Sequence, residues 1–157
     1  MNIEILTKLR DNSKRNPNKL GYEFENEGIS VAEIEQLEQD WNNGNNFPKA
    51  LRELLFLAGS YCYCVSYSYY DTQNEMQIGQ RELMQLRGHN LNRPFYIVDS
   101  YEGSEFLFVY LDEDQIDPSI YLYSSGSLDN GRPLDFSLGY TLSHLINLGV
   151  DAAKSNY

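Results

Sequence analysis

The chain has 157 residues, an apolar fraction of 41% and a formal net charge of −11, which is the composition of one globular domain with a buried core. No window approaches the roughly 18 consecutive apolar residues of a transmembrane helix. Residues 1–17 also lack the apolar centre of a signal peptide. The only cysteines, Cys62 and Cys64, favour a reducing compartment over a disulfide framework. We therefore expect a cytoplasmic protein with no membrane partner.

The negative charge is unevenly distributed along the chain. Residues 1–19 hold five Lys or Arg and two acidic residues, whereas residues 94–131 hold eight acidic residues and no Lys or Arg. An acidic surface repels nucleic acid and anionic lipid, and it attracts basic proteins. The alternative is that the acidity only keeps a small domain soluble. The charge therefore argues against a nucleic-acid partner and allows a basic protein partner.

The N-terminal third predicts a short helix, a connector and a pair of helices. Apolar spacing indicates a helix over residues 3–11, followed by a polar basic connector over residues 12–21 and an extended piece over residues 22–24.

The helix pair lies within residues 29–60. Ser30 and Glu33 have the spacing of a capping box that starts the first helix, and Ile29 and Ile34 that of a hydrophobic staple. After a polar loop, Pro48 suits the start of the second helix. Gly59 suits a left-handed residue that ends it.

The middle of the chain predicts one strand and one short helix. Residues 61–70, YCYCVSYSYY, alternate strictly between large rings and mostly small side chains, which is typical of a β-strand. Residues 71–79 predict a polar connection, and residues 82–87 a short helix that stops at Gly88.

The second half predicts an antiparallel meander and a closing helix. Strands are expected at residues 95–98, 105–111 and 119–124, and a helix at residues 140–148 that Gly149 ends and a frayed tail follows. Helices first, strands next and a helix last predict an α+β fold. We expect a single domain over residues 1–157, with its core at about 22–149 and its N-terminal helices packed on a central, mostly antiparallel sheet.

None of the catalytic or metal-binding patterns that we tested is complete. Cys62 and Cys64 lack the further ligands of a zinc site, so small-residue packing is the favoured role. His89 and His144 are not accompanied by a G-x-S-x-G nucleophile elbow. Residues 112–117 lack the glycine and closing glutamate of a calcium loop. We expect no catalytic residue, metal or cofactor, although a small hydrolase that uses either histidine remains an alternative.

Two motifs in the helix pair carry a family resemblance. Residues 29–38 have the pattern I-S-x-x-E-I-E-x-L-E, and residues 47–59 have F-P-x-x-L-R-E-L-L-x-L-A-G. The meander FYIVDSYEGSEFLFVYLDE and the closing F-S-L-G-Y-T-L-S-H-L-I follow in the same order. This order resembles the SUKH superfamily, small α+β domains that include the yeast Smi/Knr regulators and many bacterial immunity proteins. The chain departs from the family's usual Asn-Gly-Gly after the second helix, where it has Ala58, Gly59 and Ser60.

The resemblance implies a non-catalytic protein that binds another protein. Its bacterial members are similar to antidotes encoded beside polymorphic toxins, often nucleases, which they inhibit by direct contact; its yeast members imply a scaffold or regulator instead. A nuclease surface is basic, so the acidity of this chain independently favours a cognate toxin as the partner. From charge density we predict a binding face that contains Asp99, Tyr101, Glu102, Glu105, Tyr110, Asp112, Glu113, Asp114 and Asp117. The oligomeric state is left open.

Overall fold

The structure is a computed structural model that describes residues 1–15, 20–101 and 103–155. The elements follow in the order α1 (Thr7–Asp11), α2 (Val31–Asn42), α3 (Lys49–Ala58), α4 (Gln73–Leu86), β1 (Phe95–Tyr101), β2 (Glu105–Tyr110), β3 (Ser119–Ser124), β4 (Phe136–Thr141) and α5 (Leu142–Ser155). The strands form one antiparallel sheet in the order β1-β2-β3-β4. The predicted α+β class, with helices before an antiparallel sheet and a helix after it, is confirmed.

Strands β1 and β2 are buried on both faces of the sheet, whereas no residue of β4 is buried. Alternate residues of β1 enter two separate apolar clusters, since successive side chains of a strand point to opposite faces. Tyr96 and Val98 join the cluster that α1, α2, α3 and α5 cover. Phe95 and Ile97 join the other cluster, which is mostly aromatic. Burial on both faces explains why β1 and β2 are continuous apolar runs without clear alternation.

The helix pair begins as predicted but ends differently. Ser30 Oγ accepts from the Glu33 N–H at 3.2 Å and Glu33 Oε2 accepts from the Ser30 N–H at 2.7 Å, so the capping box is confirmed. The prediction of a left-handed Gly59 is wrong, because its φ is −70°. Glycine is instead required there because no side chain fits: a Cβ would lie 2.5 Å from the Leu55 carbonyl oxygen and 2.9 Å from Ile29 Cγ1.

The N-terminal helix is shorter than predicted. The buried Glu53 carboxylate accepts hydrogen bonds from the N–H groups of Glu4, Ile5 and Leu6 at 2.8–2.9 Å, which precede α1 at Thr7. Residues 22–24 form no strand, and the only extended pairing nearby within the described chain is two isolated bridges. Residues 16–19 of the predicted connector lie outside the described residues.

The predicted strand over residues 61–70 is wrong. Only Tyr61 makes a bridge, to Glu27, and the rest of the segment is irregular. The tyrosine hydroxyls donate to separate backbone carbonyls, Tyr63 to Asn12 at 2.6 Å and Tyr67 to Ala58 at 2.9 Å. Ser68 has a φ of +57°, which breaks the extended run. The alternation of rings and small residues therefore reflects individual contacts and not a pleated strand.

One helix, α4, replaces the predicted polar connection and short helix. The Thr72 hydroxyl caps its start by accepting from the Glu75 N–H at 3.1 Å. Its buried face carries glutamines at helical spacing, Gln73, Gln77 and Gln80, which are 6%, 0% and 1% exposed. The same face buries only two apolar side chains, Met76 and Met84, so its apolar periodicity is too weak for hydrophobic patterning to reveal the full helix.

The glutamines bind the open edge of β1, and we call them the glutamine stripe. Gln77 Nε2 donates to the Ile97 carbonyl at 2.8 Å, and its Oε1 accepts from the Ile97 N–H at 3.0 Å. Gln73 Oε1 accepts from the Tyr96 hydroxyl at 2.9 Å, and Gln80 Nε2 donates to Ser100 Oγ at 2.7 Å. An edge strand leaves backbone groups unpaired, and Gln77 satisfies those of Ile97, while Gln73 and Gln80 bind side-chain hydroxyls of the same strand.

A half-buried arginine adds a further contact between α4 and the sheet. The Arg81 guanidinium lies 4.1 Å from the ring centres of both Trp41 and Phe95, and it donates to the Phe95 carbonyl at 2.6 Å. Burial lowers the pKa of Arg81 to about 10. The stacked rings and the carbonyl compensate part of the desolvation of this charge.

The C-terminal region differs from the prediction in two ways. Residues 136–141 form β4, an unpredicted strand that pairs with β3. The predicted stop at Gly149 is wrong, because α5 continues to Ser155 and Val150 is fully buried. Gly149 instead allows close packing, since a Cβ there would lie 2.7 Å from Cys64 Cβ. The predicted frayed tail is therefore helix as far as Ser155, and residues 156–157 lie outside the described residues.

The close packing of Gly149 predicts that a glycine-to-alanine substitution in a helix will destabilise the protein, which is the opposite of its usual effect. Alanine is normally favoured over glycine in a helix by about 1 kcal/mol. We expect Gly149→Ala to lower the free energy of unfolding in urea by about 1–2 kcal/mol, because the clash with Cys64 outweighs that gain. The control is the exposed Ala152 in the same helix. There the ordinary preference applies, so the opposite exchange, Ala152→Gly, should lower the free energy of unfolding. A more stable Gly149→Ala variant would contradict the close contact.

Candidate functional site

The predicted binding face is divided between two ends of the sheet. Tyr101 pairs with Glu105 at the β1–β2 hairpin, whereas Tyr110 pairs with Phe95 at the far end of the same two strands. Six residues of antiparallel strand span roughly 20 Å. Asp99, Tyr101 and Glu105 therefore form one group, and the 110–117 segment forms another. Glu102 lies outside the described residues.

At the far end, an arginine occupies part of the predicted face. Arg93 donates to both oxygens of Asp112, at 2.6 Å and 3.0 Å, and to Glu113 Oε1 at 3.3 Å. Hydrogen bonding to Arg93 lowers the pKa of Asp112. The Arg93 guanidinium also stacks 3.7 Å from the Tyr110 ring centre. Arg93 lies one residue before the segment without basic residues, so charge counting along the sequence did not include it.

The other residues of this end have different environments. Asp117 caps α5, with its Oδ1 accepting from the Ser143 N–H at 3.0 Å and its Oδ2 from the Ser143 hydroxyl at 2.6 Å. Tyr110 is 2% exposed and donates to Asp135 at 2.9 Å, so it supplies no exposed surface. Asp114 is exposed, with a left-handed φ of +49°. Asp114 is therefore the acid of this loop that is best placed to meet a partner.

At the hairpin end, Asp99 is a structural group. It is 3% exposed, and its Oδ1 accepts from the Ser66 N–H at 2.9 Å and its Oδ2 from the Tyr101 hydroxyl at 2.8 Å. Desolvation by burial raises its pKa, although these hydrogen bonds act in the opposite direction. Asp99 thus does not lie on an exposed face, but it positions Tyr101 and the irregular segment that contains Ser66.

Together these segments form a recess of about 530 Å³, which we call the hydroxyl recess. It is lined by side chains that carry hydroxyl groups, namely Ser66, Ser68, Tyr69, Ser100, Tyr101 and Ser104. Tyr69 is 72% exposed and Tyr101 46% exposed. Tyr69 stacks on Tyr70 with ring centres 4.6 Å apart, and the Tyr70 ring lies against Gly79 of α4.

The chemistry of the hydroxyl recess suits recognition of a protein surface. Tyrosine gives a large rigid contact area and serine gives adaptable hydrogen bonds, the combination that antibody binding loops use. Residues 66–70 and 99–105, which build the recess, contain three acidic residues and no Lys or Arg. Because Tyr69 and Ser66 were predicted to lie on a strand, sequence reasoning did not place them beside Tyr101. The abundance of Tyr and Ser in residues 61–70 was the available signal.

The histidines and cysteines do not line the hydroxyl recess. His89 Nδ1 lies 2.9 Å from the Tyr123 hydroxyl, and the His144 ring centre lies 5.3 Å from that of Tyr140. Cys62 is buried and Cys64 half-buried, both as free thiols. Across the described ranges, no group of three His, Cys, Asp or Glu side chains could hold a metal ion. No helix within those ranges is long and apolar enough to cross a membrane.

The buried Asp99 carboxyl predicts a pH effect on stability. A carboxyl group with a raised folded-state pKa stabilises the folded state below its unfolded pKa, and this contribution is lost as the pH rises through the folded pKa. The stability of the wild type relative to Asp99→Asn should therefore fall as the pH rises from about 3 through the range above about 4. Urea unfolding of both proteins across this range isolates Asp99 from the other acids. A wild type that gains stability relative to Asp99→Asn as the pH rises would contradict the raised pKa.

Comparison of the chain with protein-family models, with curated proteins and with solved structures finds no match.

Proposed function

We propose that the chain is an immunity protein of the antitoxin type, which binds and neutralises a cognate basic toxin domain of the nuclease class. The observation that carries this proposal is the hydroxyl recess, where exposed Tyr69 and Tyr101 stand among serines in segments that hold acidic residues and no basic ones. Exposed aromatic side chains beside the half-exposed Glu105, which pairs with Tyr101 across the hairpin, match what a basic protein surface requires.

The charge balance of the surface supports a basic partner. Ion pairs with acids occupy six Lys and Arg side chains of the described residues, namely Lys8, Arg10, Lys14, Lys49, Arg52 and Arg93. Pairing cancels the local field of these cations, while the acids outnumber all basic residues by 23 to 12. A nuclease must present basic charge to hold its substrate, so an acidic protein competes for the same surface.

Tyrosines and acids contribute to binding in different ways. A buried aromatic anchor in an interface is commonly worth about 2 kcal/mol or more and mainly slows dissociation. Acids at the rim mainly accelerate association, and salt weakens their effect. Tyr69 and Tyr101 are the proposed anchors, and Glu105 and Asp114 are the proposed steering charges.

The resemblance of the helix pair to the SUKH superfamily supports an immunity role and also its runner-up, a scaffold or regulator of the Smi/Knr type. Both roles would use the same non-catalytic surface and differ in the partner. A small hydrolase is a third, less favoured alternative, and it predicts turnover that is lost when His89 or His144 is replaced by alanine. The product of a neighbouring gene separates the first two roles, since an immunity protein is encoded beside its toxin.

The proposal predicts rescue of growth through the hydroxyl recess. Co-expression of the chain with the C-terminal domain of the protein encoded beside it should restore growth that this domain alone abolishes. Tyr69→Ala should weaken the complex by roughly 30-fold, the equivalent of about 2 kcal/mol. Leu86→Ala, a truncation of another exposed side chain at the C-terminal end of α4, should leave the dissociation constant unchanged. A neighbour that is harmless, or toxic but not neutralised, would contradict the immunity role.

Charge reversal tests the steering role of the acids. Asp114→Lys should slow association with the basic domain and flatten its dependence on ionic strength, with little change in the dissociation rate. Stopped-flow measurement at several salt concentrations separates these rates. Unchanged association at low salt would show that the loop between β2 and β3 does not face the partner.

A further inference from the structure

A second concave surface lies between α2 and the start of α4, on elements that the predicted acidic face did not include. This groove has a volume of about 330 Å³. Ile29 and Leu37 give it apolar surface, and the acidic side chains Glu33, Asp40 and Asp71 also line it. We call it the α2–α4 groove. Its volume is at the lower end of the range of roughly 300–1,000 Å³ for small-ligand sites, so it suits a side chain and not a folded domain.

Contacts around the groove hold it open. Trp41 Nε1 donates to Asn74 Oδ1 at 3.0 Å and ties α2 to α4. Gln73 Nε2 donates to the Gly59 carbonyl at 2.8 Å and ties α4 to the end of α3. A Cβ at position 59 would lie 2.9 Å from Ile29 Cγ1, so any larger residue would displace this part of the lining. The groove is therefore built from side chains whose positions other contacts determine.

The electrostatics of the groove favour a cation. Among the described residues, no Lys or Arg lines the groove, and the Arg81 guanidinium near it stacks on Trp41, outside the lining. The first turn of α4 contributes the equivalent of about half a positive charge, against the full negative charges of Glu33, Asp40 and Asp71. Glu33 and Asp40 each use one oxygen in a hydrogen bond within α2 or its cap, and the second oxygen of each has no partner among the described residues. An anionic ligand is thus excluded.

The apolar part of the lining selects among cations. A metal ion needs several oxygen ligands that converge on one point, and within the described ranges no such group of acids exists. A lysine or arginine side chain combines an aliphatic stem with a charged head, and it commonly lays the stem on apolar surface while the head reaches polar groups. Ile29 and Leu37 match the stem, and the carboxylates match the head.

We propose that the α2–α4 groove binds a lysine or arginine side chain of a partner protein, with the stem on Ile29 and Leu37 and the cationic head at Glu33, Asp40 and Asp71. This site is separate from the hydroxyl recess and shares none of its lining residues. It stands on the geometry of the groove, whichever protein supplies the basic side chain.

The test uses a matched pair of peptides and NMR of the intact chain labelled with ¹⁵N. Acetyl-Gly-Arg-Gly-amide should produce saturable shifts in the backbone amides of residues 29–40 and 71–74. The same peptide with citrulline, a neutral isostere of arginine, should produce none. Asp71→Asn and Asp40→Asn should each weaken the arginine peptide by about two- to five-fold, the range of exposed ion pairs.

The control variant is Asp129→Asn, an exposed acid outside both the groove and the predicted binding face, which should leave the affinity unchanged. Equal shifts with both peptides, shifts centred on residues 112–117, or no saturable shift would each overturn the inference. Failure here is distinguishable from failure of the immunity role. Rescue of growth without peptide binding would contradict the groove proposal and support the immunity role. Peptide binding without rescue would support the groove proposal and contradict the immunity role.

Discussion

Three buried glutamine amides hold α4 against the exposed edge of β1, and the rest of the surface depends on this contact. An unpaired strand edge invites pairing with another chain, and a buried backbone group without a partner costs about 1–3 kcal/mol. Gln77 resolves both problems at Ile97 by donating to its carbonyl and accepting from its N–H. Gln73 and Gln80 extend the same contact in both directions along the helix.

Both candidate surfaces lie at the ends of this contact. Near Gln80, the hydroxyl recess contains Ser100, and Tyr70 lies against Gly79 of the same helix. Near Gln73, the hydrogen bond from this side chain to the Gly59 carbonyl forms one wall of the α2–α4 groove. A helix that packed through apolar side chains alone could slide along the strand, whereas paired amides fix its register. The stripe therefore determines where the aromatic and acidic groups of both surfaces stand.

The features that the sequence predicted well are those that local chemistry determines. The capping box at Ser30 needs only two residues three positions apart, and the third predicted strand of the meander, residues 119–124, was placed with its correct bounds. Elements that depend on distant partners were missed. Helix α4 was predicted only over residues 82–87, because its buried face carries three glutamines and only two methionines, and β4 was missed because none of its residues is buried. Residues 61–70 gave the pattern of a strand because tyrosines bound to scattered carbonyls happen to alternate. The predicted acidic face proved to be two separate groups, because charge density along a chain does not show which end of a hairpin each acid occupies.

The most direct test of this account is amide hydrogen exchange at Ile97 in the wild type and in Gln77→Met, which keeps the side chain's length but removes both hydrogen bonds. Exchange at Ile97 should accelerate strongly in the variant, together with the amides of α4. The amide of Leu107, on the neighbouring strand β2, should remain protected. Unchanged protection at Ile97 and in α4 would show that the glutamine stripe does not hold the helix, and would contradict the account of both surfaces.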